Sequence, residues 1–261
     1  MLNIKNITIQ YGKNKPVIED FDLNMKQGEI ISIVGESGSG KTTLIRGIVG
    51  LLPGEGKVIK GNIMFQNESL LNFSKNQWNE YRGTKLSMIF QDCGSMLNPI
   101  RKIGAQFVEY ILTHEKISKK EAYDKASQML YKMRLPNINN IMNSYPFQLS
   151  GGMRQRVGIA MAMTFKPKLL IADEPTSALD VTTQAQIIRQ MIELRDKYNT
   201  SIIIVTHNLG VATYMADKIV VMKDGKIVEQ GNRFKILHSP KSDYTKKLLD
   251  SVPAMEGKRY V

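Results

Sequence analysis

Residues 35 to 42 read GESGSGKT, directly after the β-branched run 29–34 and directly before helical periodicity that begins at Thr42. This is the pattern G-x-x-x-x-G-K-[ST] in the strand–loop–helix context that it requires. Gly35, Gly38 and Gly40 allow a tight turn that brings backbone N–H groups onto phosphate oxygens, and the helix start adds the positive end of its dipole. Lys41 is placed to reach the β- and γ-phosphates of a nucleotide, and Thr42 to hold Mg²⁺ through its hydroxyl. Ser37 and Thr43 complete the expected nucleotide-binding set of this loop.

The chain around the loop reads as an α/β protein. Alternation of apolar and polar residues over 2–10 and 17–25 predicts a half-exposed antiparallel pair, and short apolar runs at 58–65, 86–90, 169–172, 201–205 and 219–222 predict further strands. Helical periodicity covers 42–50, 103–113, 119–133, 152–165, 182–198 and 208–217. Strand signal almost vanishes over 92–165, which predicts a helical subdomain inserted into the α/β core. The expected division is a core of 1–91 and 166–233, a helical subdomain of 92–165, and a basic, helix-containing tail of 234–261 outside the core.

A second group of candidate residues closes the apolar run LLIADE at 169–174. At the C-terminal edge of a parallel sheet beside a phosphate loop, Asp173 fits the Mg²⁺ shell and Glu174 fits contact with an attacking water.

Composition narrows the partners. Lys and Arg number 36 against 24 for Asp and Glu, a net charge of +12 that favours a polyanion: nucleotide, nucleic acid or acidic membrane surface. Cys93 is the one cysteine, so the chain builds neither a disulfide framework nor a multi-cysteine metal site, and a reducing compartment fits. The N-terminal residues lack the apolar stretch of a signal peptide, and no apolar run is long enough to span a bilayer. A cytoplasmic protein is expected, whose membrane role would come through a partner.

Residues 149–156 read LSGGMRQR, and this segment resembles the signature of ATP-binding cassette (ABC) ATPases. Ser150, Gly151 and Gly152 open a predicted helix with Met153, Val157, Ala160, Met161 and Thr164 on one face, so its N-terminus is a second anion site. Other positions match the family pattern. Tyr11 resembles the aromatic that stacks on adenine, and Gln91 the glutamine that touches Mg²⁺ and the lytic water. SALD at 177–180, ending in Asp180, resembles the loop that crosses the dimer interface, and His207 the switch histidine that contacts the γ-phosphate. The resemblance covers 2–231 and implies the ABC nucleotide-binding fold: a P-loop core, an antiparallel β-subdomain and an inserted α-helical signature subdomain.

A finer resemblance is to the ATPase subunits of oligopeptide, dipeptide and nickel importers. It rests on QDCGSMLNP at 91–99, where Cys93, Gly94 and Met96 depart from the commonest form, on the segments 145–163 and 172–187, and on HSPKSDYTKKLLDSVP at 238–253. The short tail resembles the nickel and metallophore branch more than the oligopeptide branch. The resemblance implies ATP and Mg²⁺ as ligands, a second ABC ATPase subunit in a heterodimer (a homodimer being the alternative), two transmembrane permease subunits, an indirect extracytoplasmic solute-binding protein, and a place at the cytoplasmic face of the membrane. Specific nucleic-acid binding is not expected. An exporter ATPase and a soluble, non-transport ABC ATPase are the alternatives.

Overall fold

The structure is a computed structural model describing residues 1–177 and 179–250 of the 261-residue chain. In chain order it runs β1 (Leu2–Tyr11), β2 (Ile18–Met25), β3 (Ile30–Val34), α1 (Lys41–Ile48), β4 (Gly56–Phe65), β5 (Glu68–Ser69), α2 (Lys75–Tyr81), β6 (Leu86–Ile89) and α3 (Cys93–Met96). It continues with α4 (Ile103–His114), α5 (Lys119–Lys132), α6 (Ile138–Asn143), α7 (Gly151–Met163), β7 (Leu169–Asp173), α8 (Val181–Tyr198), β8 (Ser201–Thr206) and α9 (Leu209–Met215). The strands β9 (Lys218–Lys223) and β10 (Lys226–Asn232) and the helices α10 (Arg233–His238) and α11 (Asp243–Asp250) complete it. The chain forms two compact units, one of Met1–Trp78 with the chain from Ser201 onward, the other of Asn79–Thr200.

The first unit holds an antiparallel sheet in the order β2-β1-β4-β5 and the strand sequence β10-β9-β3-β8 of a second sheet. β1 pairs with β2 from Leu2↔Met25 to Ile9↔Ile18 and with β4 from Leu2↔Phe65 to Tyr11↔Gly56. Its alternation is broken by a bulge, so Ile7, Thr8 and Ile9 are buried in succession. β3 and β8 are buried at every residue, the pattern of parallel strands covered on both faces. Their register, Ile30↔Ile202 to Val34↔Thr206, brings the chain ends after Val34 and Thr206 to one edge of the sheet.

The second unit pairs β6 with β7 in parallel, Leu86↔Leu169 to Ile89↔Ala172. Its other described regular elements are helical, as the lack of strand signal over 92–165 predicts. α5 starts at a capping box in which Ser118 accepts from the Glu121 N–H and Glu121 reaches back to the Ser118 N–H. It buries Ala122, Ala126, Met129 and Leu130 along one stripe. α8 starts at Asp180, whose carboxylate accepts from the Thr183 N–H at 2.9 Å, and ends at Asn199 in the left-handed conformation.

Three features differ from the sequence reading. α7 buries Gln155, Val157, Ile159, Ala160, Ala162 and Met163, a surface wider than one stripe, whereas Met153 and Met161, expected on its inner face, stay half-exposed. It packs against α3, α5 and β6, so no single face is reserved for the core. β10 is unforeseen: Asp224 and Gly225 both take positive φ and turn β9 into a hairpin. The stretch read as a tail forms α10 and α11 and buries Ile236, Thr245 and Leu249; its remainder, 251–261, lies outside the described residues. Ala178, in the loop read as an interface crossing, lies outside them too.

Candidate nucleotide site

The expected site residues fall into two groups, one in each unit. In the first unit, Val34 ends β3 and the chain runs through 35–40 into α1, whose N-cap is Gly40 at φ 94°. A side chain at Gly40 would meet both that strain and the Val17 carbonyl oxygen at 3.1 Å. Lys41 is 6% exposed, and its ammonium is turned into the loop. It donates to the Gly35 carbonyl at 2.8 Å, the Glu36 carbonyl at 2.7 Å and the Ser39 hydroxyl at 3.3 Å. A buried ammonium needs such acceptors, and these hold the charge inside the loop. Thr42 and Thr43 are half-buried at the start of α1, whereas Ser37 and Gly38 are exposed.

His207 is exposed directly after β8, and Asn208 beside it caps α9 by accepting from the Val211 N–H at 3.3 Å. Because β3 and β8 are parallel neighbours, His207 and the phosphate loop leave the same sheet edge. Tyr11 ends β1 opposite Gly56, where an added Cβ would lie 2.6 Å from the tyrosine ring. Glycine there is a condition of the ring's position.

In the second unit, the β6–β7 register carries Gln91 to Glu174, two steps beyond the Ile89↔Ala172 pair. The Gln91 amide donates to the Glu174 carboxylate at 3.4 Å and to the Ser177 hydroxyl at 3.5 Å, while that hydroxyl donates to the Glu174 carbonyl at 3.2 Å. These contacts are long, and they leave Gln91 exposed and Glu174 half-buried. Asp173 is 7% exposed at the end of β7. Glu174 has φ 44°, a left-handed conformation costing about 1–3 kcal/mol in a residue with a Cβ.

The signature residues begin α7. Ser150 accepts from the Met153 N–H at 3.3 Å, and Ser150 and Gly151 are exposed. A Cβ on Gly152 would lie 2.7 Å from the Thr183 methyl, so glycine lets α7 start against the start of α8. The Asp180 carboxyl is held below its ordinary value, mainly by the Thr183 N–H.

Two supports of the loop were missed in the sequence. The Gly225 N–H, in the β9–β10 turn, donates to the Ser39 carbonyl at 3.2 Å, and the Tyr244 hydroxyl, in α11, accepts from the Glu36 N–H at 3.1 Å. The Asp-Gly pair at 224–225 is an ordinary hairpin signal and was readable. No local pattern points from residue 244 to residue 36.

A buried lysine in a glycine-rich loop after a parallel strand, with a serine-capped signature helix and a glutamine-supported glutamate on the same chain, defines a cassette-type P-loop ATPase. The chain belongs to the ABC transporter family, whose model matches residues 18–177. It is 44% identical to the oligopeptide transport ATP-binding protein OppD of Bacillus subtilis (strain 168), over 98% of this chain and 73% of that protein. It is 42% identical to the dipeptide transport ATP-binding protein DppD of the same organism, over 98% of this chain and 78% of that protein. Among solved structures, it is similar to the dimeric ATP-binding cassette MJ0796 bound to ADP and Pi. The identity there is 29% and the TM-score 0.79, over 89% of this chain and 99% of that one.

Proposed function

We propose that this chain is the ATP-hydrolysing subunit of a peptide importer, working at the cytoplasmic face of a membrane as half of an ATP-sandwich dimer, in which a second ABC ATPase subunit is the other half. The observation that carries the reading is Lys41, buried in the loop with its ammonium on the Gly35 and Glu36 carbonyls. Peptides are the proposed solutes because the two relatives named above are oligopeptide and dipeptide transport proteins. Among the described residues, no helix is long and apolar enough to cross a membrane, so the proposal assigns translocation to two permease subunits supplied by solute from an extracytoplasmic binding protein. The helical signature subdomain is assigned 92–165.

In this reading Tyr11 stacks on adenine, the N–H groups of 35–43 and the Lys41 ammonium hold the phosphates, and Ser150, Gly151 and Gly152 face the nucleotide of the partner subunit. Gln91 orients Glu174, which accepts a proton from the attacking water, while His207 donates to the γ-phosphate and Asp180 ends the loop that crosses the interface. Thr42, Gln91 and Asp173 are oxygen donors of the class Mg²⁺ takes together with nucleotide phosphates, and Asp173 is a buried acceptor at a strand end. When bound, that cation neutralises the phosphate charge.

Lys41→Ala tests the loop. Its expected effect is severe loss of ATP binding or turnover, and near-normal ATPase activity would remove the assignment. The solute is tested on the assembled transporter: ATPase activity stimulated by di- or oligopeptide on the solute-binding protein is expected, and stimulation by nickel instead would move the chain to the metal branch.

A further inference from the structure

We propose that α11 is a strap that sets the phosphate loop, with the Tyr244 hydroxyl as a positioning group for the Glu36 backbone. The proposal rests on reading 35–42 as the ATP site and adds to it a residue that no motif of the site contains. Glu36 is held from two directions: its N–H donates to Tyr244 at 3.1 Å, and its carbonyl accepts from the Lys41 ammonium at 2.7 Å. Glu36 is exposed, so water would satisfy this N–H if Tyr244 were absent. The bond is thus not demanded by burial, and what it supplies is position.

The strap is itself anchored at both ends. At its start the Glu229 carboxylate, on β10, accepts from the Lys241 N–H at 2.8 Å and the Ser242 N–H at 3.0 Å. Further along, Thr245 and Leu249 are buried, and the Lys223 ammonium lies 5.1 Å from the centre of the Tyr244 ring. Lys223 ends β9, next to the turn whose Gly225 N–H holds the Ser39 carbonyl. The loop is therefore pinned at Glu36 by α11 and at Ser39 by the hairpin, with Lys41 bonded to both residues. Burial first, and the Glu36 carboxylate after it, push the Tyr244 phenol above its ordinary value against the opposing pull of the Glu36 N–H.

The physical consequence concerns nucleotide arrival. For Lys41 to reach a terminal phosphate, its ammonium must leave some of the acceptors it now donates to, among them Gly35, Glu36 and Ser39. Once the Gly35 carbonyl is released, the Gly35–Glu36 peptide plane, which also carries the Glu36 N–H, is free to rotate unless that N–H stays fixed. Tyr244 fixes it, so the loop meets the phosphates already ordered.

Tyr244→Phe removes the hydroxyl and leaves the ring on Lys223. In the full chain, binding of trinitrophenyl-ATP is expected to weaken about threefold to tenfold, the worth of one hydrogen bond. In the assembled transporter KM for ATP should rise by the same factor while kcat changes less than about twofold. Unchanged nucleotide affinity, with or without a lower unfolding midpoint, would overturn the proposal by making Tyr244 a packing residue. Lys41→Ala measured alongside separates the two claims: normal binding there removes the ATP-site reading, whereas lost binding there with normal binding in Tyr244→Phe removes the strap alone. A second measurement needs no variant. In the nucleotide-free wild-type chain, the Glu36 amide should exchange about tenfold more slowly than the exposed Ser37 and Gly38 amides, and equal exchange would overturn the proposal.

Discussion

Glu174 combines a polar role with an unfavourable backbone, and its φ of 44° is the kind of local strain that a packed surrounding sustains at a working site. Glu174→Gln removes the carboxylate while keeping size and shape. Turnover should fall at least about a hundredfold with ATP affinity retained, measured by steady-state hydrolysis beside equilibrium binding. Cys93 is the opposite case. Its thiol is 5% exposed and burial pushes it up to about 12, with the Phe90 carbonyl accepting from it at 3.6 Å. Roughly a thousandfold less thiolate than an ordinary cysteine follows from that value, so iodoacetamide at pH 8 should label the folded chain slowly and the urea-unfolded chain rapidly. Cys93→Ser should leave hydrolysis in the assembled transporter almost unchanged, since the residue lies outside the phosphate chemistry.

At the scale of elements, the short helix α3 is tied to the signature helix α7 through Cys93. A Cβ added to Gly158 would run into the Cys93 sulfur and lie 2.6 Å from its Cβ, and the Cys93 N–H donates to the buried Gln155 side chain at 3.4 Å. Gly158→Ala is therefore expected to overpack this contact and cost about 1–3 kcal/mol in urea unfolding, against the small gain that alanine brings to an exposed helix. The anchoring of α11 carries a pH dependence. Burial alone would raise the Glu229 carboxyl, but the Lys241 and Ser242 N–H groups, together with the Thr245 side chain and the Lys235 charge, outweigh it and leave it below its ordinary value. A group shifted down in the folded state stabilises above its unfolded value and loses that contribution as pH falls through the folded one. Amide protection at Lys241 and Ser242 should thus be constant from neutral pH down to the ordinary glutamate range and fall only in more acidic solution.

For the whole molecule, one phosphate loop and one signature stand on one chain, and the two are assigned to different nucleotides of a dimer. Light scattering after size exclusion should show Glu174→Gln associating on addition of Mg-ATP, either alone or with the second ATPase subunit. Absence of association in every mixture, with the lone wild-type monomer turning over at full rate, would exclude the sandwich mechanism. The net charge of +12 belongs to this scale as well. It should give weak nucleic-acid binding without sequence preference that collapses as salt rises, checked by titration with duplexes of unrelated sequence.

Chemistry carried by contiguous residues was determined by the sequence alone. The phosphate loop, the Ser150 cap, the β3 and β8 strands and the Asp173–Glu174 pair each follow from spacing and periodicity within a dozen residues. The capping box at Ser118 is just as local. Only the tertiary structure decided which distant groups share a hydrogen bond or a van der Waals contact. The register that carries Gln91 to Glu174, the Cys93–Gly158 contact that ties α3 to α7, and the Tyr244–Glu36 bond each join residues far apart in the chain. Such pairings depend on strand order and helix packing, which a window of local propensity does not contain, and β10 escaped because its inward side chains are only half-buried and its apolar signal weak.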